Sequence, residues 1–413
     1  MREKKEVIQL QTELQMKVQP AKDKRIILAI VLGSLSAIGP LSIDMYLPAF
    51  PNLTDDLHAT SALTQLSLTA CLLGIALGQL WVGAWSDRQG RKKPLVIGLV
   101  IYAVTSFFCA LTPSVWLLIV LRFMQGAAGS AGIVLSRAIV RDLYTGSELT
   151  KFFSALMLVN GAAPIFAPII GGQILSFASW HWVFIVLGIL SGLMLLSVIF
   201  ILPETLPEEK RNVGGWGESL LHYKRLLQDR IFMGYALSQG LITAAMFAYI
   251  SGSPFVIQNI FGASPQLYSL FFAINGLGII IASQVTGRLA GRMNERTLLV
   301  TGLLLALFGG TMLLMIILLA PSLIGVLICF FMIVSSVGVV GTTGFTLAMQ
   351  NQQKAAGSAA ALLGLLPFIS GAVVAPLVGI QGERTAVPMG ITIVCCHIGA
   401  MLSFIILTRR TNN

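Results

Sequence analysis

Long apolar runs, each of roughly 20 residues, recur along the whole chain and constrain its fold more than any other feature. A helix of that length crosses about 30 Å of hydrocarbon. Period-2 alternation is absent and the runs are too long for barrel strands, so they predict a membrane-embedded bundle of helices. Only 11% of the 413 residues are charged, against about a quarter in soluble proteins, which excludes an ordinary soluble domain.

The runs predict twelve transmembrane helices in an all-α membrane protein. They lie near residues 26–50, 61–84, 94–112, 114–136, 149–172, 182–202, 231–253, 267–290, 297–319, 322–347, 355–379 and 386–408. We interpret 25–202 and 231–408 as two six-helix bundles, joined by a charged cytoplasmic linker at 203–230. Cytoplasmic tails are predicted at 1–24, which lacks the apolar core of a signal peptide, and at 409–413.

The two predicted bundles resemble each other in sequence. The segment around Gly83 is echoed around Gly287, and a Gly-x-x-Pro element at 161–164 returns at 364–367 with nearly the same offset. A single offset found at two places indicates a duplicated six-helix unit. Because the number of helices per unit is even, both units should cross the membrane in the same direction.

The net charge of +10 could suggest a nucleic-acid partner, but the placement of the charges argues for a membrane instead. If the N-terminus is cytoplasmic, all of the 27 Lys and Arg residues except Arg122 and Arg384 lie on the cytoplasmic side. This predicts a multi-pass protein of a bacterial inner membrane with both termini inside. Anionic lipids are an expected contact, and nucleic acid is not.

Asp44 and Arg122 are the two charges that the pattern places inside spans. Burying a charge in a span costs about 2.5–3.5 kcal/mol on insertion scales, so each should face a cavity or a partner. Asp44 is the nearest available charge to Arg122 by elimination, with Gln125 one turn along, and Pro40 could break the first helix beside Asp44. Two alternatives stay open: Asp44 at the outer interface, and Arg122 as a static clamp on carbonyls.

The energy source is predicted to be a proton gradient. The chain has no phosphate-binding Gly-x-x-x-x-Gly-Lys-Ser/Thr loop and no soluble domain for a nucleotide. One charge crossing 100 mV supplies about 2.3 kcal/mol, and a carboxylate can carry the proton. Asp44 and Arg122 are therefore the candidate proton-coupling pair. No metal site and no cofactor are predicted, and a sodium ion is disfavoured because no cluster of oxygen ligands surrounds Asp44.

Polar residues inside spans are candidates for substrate binding. Most such residues serve as hydrogen-bond partners between helices, so a structural role competes with a binding role at each. Tyr249 and Gln239 are predicted to line a cavity that faces the first bundle. The full candidate set is Tyr46, Gln125, Asn160, Gln239, Tyr249 and Asn275.

Two sequence elements are candidates for conformational gating. The loop 83–93 carries Gly-x-x-x-Asp-Arg-x-Gly-Arg, with glycines that allow a tight turn. The fifth span carries two prolines that can bend it. The gating candidates are Gly83, Asp87, Arg88, Gly90, Arg91, Pro164 and Pro168.

These motifs resemble those of the major facilitator superfamily. Ser-Ile-Asp-Met-Tyr-Leu-Pro-Ala-Phe-Pro in the first span, Leu-Arg-Phe-x-Gln-Gly in the fourth and Leu-Pro-Glu-Thr-Leu after the sixth are similar to the bicyclomycin and chloramphenicol resistance (Bcr/CflA) branch of the drug:proton antiporters. The glycine- and proline-rich fifth span resembles the exporters of the family, although Ala167 replaces the usual glycine.

The resemblance implies a monomeric exporter of small lipophilic drugs, chloramphenicol- or bicyclomycin-like, by alternating access and not an enzyme. It also implies that Asp44 and Arg122 carry the coupling, and that Asp87 interacts with the start of helix 11 in the outward-facing state. A proton-coupled transporter of an endogenous metabolite is the main alternative. A membrane enzyme is disfavoured because histidines and acids are few and scattered, and a sensor without transport is the remaining rival.

Overall fold

The computed structural model describes residues 22–144, 146–211, 224–290, 292–350, 352 and 356–409. Most of both predicted tails, at 1–21 and 410–413, lies outside the described residues. The same is true of residues 212–223 in the predicted linker.

The described chain folds into twelve long helices and contains no strand. Their bounds are α1 Lys22–Asp44, α2 Ser61–Gln89, α3 Lys92–Leu111, α4 Val115–Leu143, α5 Gly146–Ile174, α6 His181–Ile201, α7 Arg230–Pro254, α8 Pro265–Leu289, α9 Glu295–Leu319, α10 Leu323–Met349, α11 Ala356–Val374 and α12 Val387–Leu407. Eleven stretches are long and apolar enough to cross a membrane, and α5 adds the shorter apolar stretch Leu158–Ile174. The predicted all-helical membrane fold is confirmed.

The two halves of the chain, α1–α6 and α7–α12, repeat one packing pattern. In the first half, α4 packs on α1 and α2, and α3 packs on α6; in the second, α10 packs on α7 and α8, and α9 packs on α12. Small residues allow the close approach of α2 and α4, because a Cβ at Gly74 or Gly126 would overlap the backbone of the facing helix. The equivalent pairs match the duplication inferred from sequence.

Helix α1 ends inside the apolar span, directly at Asp44. The expected break at Pro40 is wrong, because α1 runs through that proline without interruption. The chain turns at 45–46, forms a short 3₁₀ turn at Leu47–Ala49, and continues as the helix Phe50–Asp56. Pro48 lies in the first turn of the new segment. Proline is tolerated there because the first N–H groups of a helix have no acceptor within the helix. The interruption therefore follows Asp44 and reorients the side chains on either side of it.

The two halves are joined by hydrogen bonds at one end of the molecule. We call the end with the α2–α3 loop the basic face, and the end with the α1–α2 loop the opposite face. The bonds between the halves that the structure describes form a seam near the opposite face: Ser61 Oγ to the Gly379 carbonyl, Gln65 Nε2 to Ser251, Gln258 Nε2 to Pro48, Gln266 Nε2 to Gly172 and Ser269 Oγ to Pro168.

Every donor in this seam is an uncharged side chain, and every acceptor is a main-chain carbonyl. The distances run from 2.7 Å at Ser269 to 3.4 Å at Ser61. Towards the basic face, a Cβ on Gly341 of α10 or Gly364 of α11 would meet no neighbouring atom within 4 Å. Among the described residues, the polar closure between the halves therefore lies at the opposite face.

Candidate functional site

Arg122 of α4 is fully buried and held within the first half. One guanidinium nitrogen donates to the Ser42 carbonyl at 2.7 Å, and another donates to Gln125 Oε1. The guanidinium carbon lies 4.2 Å from the centroid of the Tyr46 ring and 5.6 Å from that of Phe184. Two neutral acceptors and two ring faces thus stabilise the cation.

The partners of Arg122 are themselves anchored. Gln125 Nε2 donates to Ser106 Oγ at 2.6 Å, so both ends of this amide are used inside the first half. The Ser42 hydroxyl lies 2.6 Å from the Tyr102 hydroxyl. The Tyr46 hydroxyl lies 3.4 Å from Ser67 Oγ. In this conformation Gln125 and Tyr46, both predicted to bind substrate, surround Arg122.

Asp44 and Arg122 do not form the expected ion pair. No nitrogen of Arg122 lies within 4.0 Å of an Asp44 oxygen, although both residues are described. Asp44 Oδ1 has no hydrogen-bond partner. The carbonyl of Ser42 takes the contact that the sequence had assigned to the acid.

Asp44 is buried close to the second half of the molecule. It is 4% exposed, and the turn that follows it, Leu47–Ala49, contacts α7 and α8. On that side, Asn275 Nδ2 donates to Tyr249 Oη at 2.9 Å. The structure thus joins two of the predicted site residues, Tyr249 and Asn275, within the second half.

Aromatic rings surround Tyr249 in the second half. The Tyr249 ring stacks on Phe272 with centroids 5.6 Å apart and meets Phe330 edge-on at 4.8 Å. Tyr268 Oη lies 3.4 Å from Ser253 Oγ. The Tyr249 ring is therefore fixed by packing.

The remaining predicted substrate-binding residues are Asn160 and Gln239. Both are half-buried, and neither forms a hydrogen bond with Asp44. Asn160 Nδ2 donates to Ser36 Oγ at 2.6 Å and so ties α5 to α1. Gln239 lies opposite Gly344 of α10, and its Oε1 has no hydrogen-bond partner. Gln239 therefore has a free acceptor for a ligand, whereas Asn160 is engaged within the first half.

The α2–α3 loop is organised around the side chain of Arg91, which is 4% exposed. Its guanidinium donates to Asp87 Oδ1 at 2.5 Å, to Ser86 Oγ at 2.9 Å and to Asp142 Oδ2 at 2.8 Å. Gly90 adopts a φ of +90°, which glycine tolerates and other residues avoid. This network fixes the end of α2 against the end of α4.

The predicted gating residues outside that network are placed as follows. Gly83 is half-buried near Val134, and Arg88 is exposed. Residues 353–355, just before α11, lie outside the described residues, so the contact of Asp87 with the start of that helix stays a prediction.

Glu204, which follows α6, caps the N-terminus of α3. Its carboxylate accepts hydrogen bonds from the backbone N–H groups of Arg91 and Lys92 at 2.8 and 3.1 Å, and from Thr205 and Leu206 at 3.0 Å each. Partial burial acts to raise the pKa of Glu204, but the four N–H donors outweigh it and hold that pKa below its ordinary value. The favourable end of the helix dipole acts in the same direction.

Pro164 and Pro168 lie inside a continuous α5 and do not interrupt it. The Pro168 carbonyl accepts the seam bond from Ser269 of α8. A Cβ on Gly171, one turn away, would overlap the Met45 carbonyl. The glycine- and proline-rich element thus lets α5 approach both the turn after Asp44 and the second half.

Several contributing residues were not among the sequence candidates. Asp142 could have been found as an acid in a strongly basic surface, a setting that indicates an ion pair. Ser42, Tyr268 and Ser269 carry no such signal, since hydroxyl residues are common in membrane helices.

Comparison with known proteins agrees with the helical membrane fold. The family model described as Major Facilitator Superfamily matches residues 32–376. The chain is 49% identical over 392 residues to an uncharacterised MFS-type transporter, YdgK, of Bacillus subtilis, covering 94% of this chain and 97% of that one. It is 32% identical over 388 residues to a bicyclomycin resistance protein homolog of Haemophilus influenzae, covering 93% and 96%.

Solved structures share the fold at low sequence identity. A bacterial homologue of the human lysosomal transporter Spinster, in an inward-facing and occupied conformation, matches with a TM-score of 0.76 at 14% identity, over 94% of this chain and 96% of that one. The nucleoside transporter NupG matches with a TM-score of 0.74 at 16% identity, over 92% and 100%.

Proposed function

The chain belongs to the major facilitator superfamily, and on that premise we propose that it is a proton-coupled antiporter that exports small lipophilic drugs from the cytoplasm. Its relatives include a bicyclomycin resistance protein homolog at 32% identity and multidrug resistance proteins named MdtL at about 28%. Those names support a drug substrate, of the bicyclomycin type in the first case, and the sequence resemblance adds the chloramphenicol type. The protein would work as a monomer in the bacterial inner membrane, surrounded by lipid.

The observation that carries the proposal is the position of Asp44. A buried carboxyl group with an unpartnered oxygen lies at the end of α1, just before the turn Leu47–Ala49 that contacts α7 and α8 of the second half. A proton at that position can be exposed first to one side of the membrane and then to the other as the halves rock. A carboxyl group on a lipid-facing surface could not do this.

The orientation is part of the proposal. Lys and Arg concentrate on the basic face, and the positive-inside rule favours placing that face in the cytoplasm with both termini. The seam at the opposite face then closes the outer side, and the conformation is inward-facing. The match to an inward-facing transporter supports this assignment.

The transport cycle then follows from two positions of the halves. With the seam open, Asp44 binds a proton from outside and drug leaves. With the seam closed, the proton is released to the cytoplasm and drug can bind. Arg122 contributes a fixed positive charge near the end of α1 through the Ser42 carbonyl, and acts through that contact instead of through an ion pair.

Drug susceptibility of a bacterial strain lacking its main efflux pumps tests the proposal. Expression of the chain should raise the inhibitory concentration of chloramphenicol or bicyclomycin, and Asp44→Asn should remove that gain at equal membrane abundance. Everted vesicles with a pH-sensitive dye should release protons on drug addition only with the unmodified chain. Resistance that survives in Asp44→Asn would exclude Asp44 from coupling.

Absence of resistance to every drug tested, together with proton-driven uptake of a metabolite by vesicles, would favour the alternative of an endogenous substrate. Vesicles that move neither a drug nor a metabolite would point to a sensor.

A further inference from the structure

Arg137 of α4 presents an exposed positive charge. Ser130, two turns earlier on the same face, meets a glycine of α2, and Ile133, one turn earlier, meets a glycine of α1. Ala128 meets α3 and lies about two and a half turns before Arg137, on the opposite side of the helix. Arg137 is exposed, and among the described residues no carboxylate oxygen lies within 4.0 Å of its guanidinium.

Phe345 of α10 occupies the corresponding position in the second half. Arg137 and Phe345 are each the twenty-third residue of their helices, and α4 and α10 are equivalent in the repeated packing pattern. Gly338, two turns before Phe345 on the same face, meets α8, and the adjacent Gly344 meets α7. The Phe345 ring is exposed, so it leaves α10 between α7 and α8.

Eight helices form a closed circle in which α4 and α10 lie on opposite sides. The order of packed neighbours is α2, α4, α1, α5, α8, α10, α7, α11 and back to α2. Helix α3 packs on α4, and α9 packs on α10, from outside this circle. Arg137 and Phe345 therefore point inwards from opposite walls. Because both are exposed, the circle encloses an open space at their level, which we call the inner chamber.

Gln239 of α7 adds a free hydrogen-bond acceptor beside Phe345. Its Oε1 has no hydrogen-bond partner, and its side chain lies opposite Gly344, the residue before Phe345. After Arg230, neither α7 nor α10 contains a charged residue. The wall of the inner chamber in the second half is thus neutral and aromatic, whereas the wall in the first half carries a positive charge.

These two walls favour a particular chemistry in a ligand. A cationic compound is repelled by Arg137, since no neighbouring carboxylate offsets that charge. An aromatic ring can stack on Phe345, and a nitro or carboxylate group on it can accept hydrogen bonds from the guanidinium. A hydroxyl or amide N–H of the same ligand can donate to Gln239 Oε1.

We propose that Arg137 and Phe345 are specificity residues that select neutral or acidic aromatic compounds in the inner chamber. This inference rests on the proposed function, because it names the class of drug that is exported. Chloramphenicol, a neutral nitrobenzene derivative with hydroxyl groups, has the required chemistry. Cationic dyes such as ethidium do not, and bicyclomycin, which has no aromatic ring, does not use the pair.

Equilibrium binding of radiolabelled chloramphenicol to the full-length protein in nanodiscs tests the proposal. Arg137→Gln and Phe345→Leu should each raise the Kd about fivefold, the size of one cation or stacking contact. Arg137→Lys and Phe345→Trp keep the charge and the ring, so they should bind chloramphenicol nearly as well as the unmodified protein. Arg137→Glu should reverse the preference, so that ethidium binds better and chloramphenicol worse, a gain that misfolding cannot produce.

Lys93→Gln and Phe308→Leu are the matched controls. Lys93 is an exposed cation on α3, and Phe308 is an exposed ring on α9, so both lie on helices outside the circle. Neither substitution should change the Kd. An equal loss in a control, unchanged binding in either Arg137→Gln or Phe345→Leu, or no chloramphenicol binding to the unmodified protein overturns the proposal.

Drug-dependent proton release from vesicles separates this inference from the proposed function. If Arg137→Gln binds chloramphenicol as the unmodified protein does, while Asp44→Asn abolishes proton release, the export proposal stands and the selectivity assignment fails. If the unmodified protein releases no protons with any drug, the proposed function fails. Chloramphenicol binding that depends on Arg137 and Phe345 would then still support the site.

Discussion

The guanidinium carbon of Arg122 lies 4.2 Å above the ring of Tyr46, whereas Asp44, two residues before Tyr46, forms no ion pair with Arg122 and leaves its Oδ1 without a hydrogen-bond partner. The helix α1 ends between these two neighbours in the chain. Arg122 is therefore stabilised by the neutral acceptors and rings of the first half.

Arg122→Lys should lower the rate of drug transport by at least about tenfold, which corresponds to roughly 1.4 kcal/mol of activation free energy. Drug resistance should fall with that rate. A lysine ammonium lacks the planar fork that reaches the Ser42 carbonyl and Gln125 together while lying flat on Tyr46. Arg296→Lys is the matched control, because Arg296 also lies over a ring, that of Phe404 at 5.3 Å, but is exposed. Equal transport in both variants would mean that only the positive charge matters.

Asp142→Asn should weaken the α2–α3 loop as much as Asp87→Asn does. Both acids bind the buried Arg91, at 2.8 and 2.5 Å, and loss of either leaves part of that cation uncompensated. We expect a loss of about 1–3 kcal/mol in stability, measured as thermal unfolding in detergent with a parallel fall in transport. Asp229 caps α7 in the second half, so Asp229→Asn provides the comparison, and its effect on transport should be smaller.

Glu204→Gln should destabilise the protein at pH 7 by about 1 kcal/mol, a low value because much of Glu204 is exposed and water screens it. The pKa of Glu204 is lowered in the folded state. Its contribution is therefore present above the unfolded pKa, about 4.3, and is lost as the pH falls through the lower folded pKa. The difference between the variant and the unmodified protein should disappear in acid.

Glu208→Gln is the control for that measurement. Glu208 is an exposed acid whose 3.2 Å contact with Arg211 lies at the surface, and such pairs contribute little. Thermal unfolding from pH 3 to pH 8 distinguishes the two residues. A difference for Glu204→Gln that persists unchanged at pH 3 would contradict the capping role of its charge.

Ser269→Ala should reduce the free energy that favours the closed seam by about 1 kcal/mol. The population of the open state should then rise roughly fivefold. The substitution removes the hydroxyl that donates to the Pro168 carbonyl at 2.7 Å. Ser176→Ala is the control, because Ser176 makes an equally short bond to the Gln173 carbonyl within its own half. Amide exchange at 169–180 reports opening, and the effect should be the same at pH 6 and pH 8, since no donor or acceptor titrates there.

The architecture could be predicted from the sequence because each helix carries its own apolar run and can be identified independently of the others. Apolar runs and the echoed glycine elements identify the helices and the duplication, and the count of charges inside spans singles out Asp44 and Arg122. Tyr249 and Asn275 were also among the predicted candidates, and the structure joins them by a hydrogen bond. Each of these inferences uses residue type and spacing alone.

The relationships between residues were harder to predict, for a physical reason. Every residue offers a carbonyl, so an acceptor such as that of Ser42 or Pro168 leaves no mark in the sequence. The helix α1 ends at Asp44, whereas Pro40 was the more conspicuous signal for a break. Pairing by elimination therefore joined Asp44 to Arg122, because it counted charges and ignored backbone acceptors.

The uncharged character of the seam has an electrical consequence. Among the described residues, its closure uses hydroxyl and amide donors with carbonyl acceptors, so its rupture moves no formal charge at that end of the molecule. Membrane voltage would then act on the transported ions and on Asp44 rather than on the latch itself. In a cell that loses its membrane potential but keeps its pH gradient, transport by such a carrier would slow, but the seam would still open.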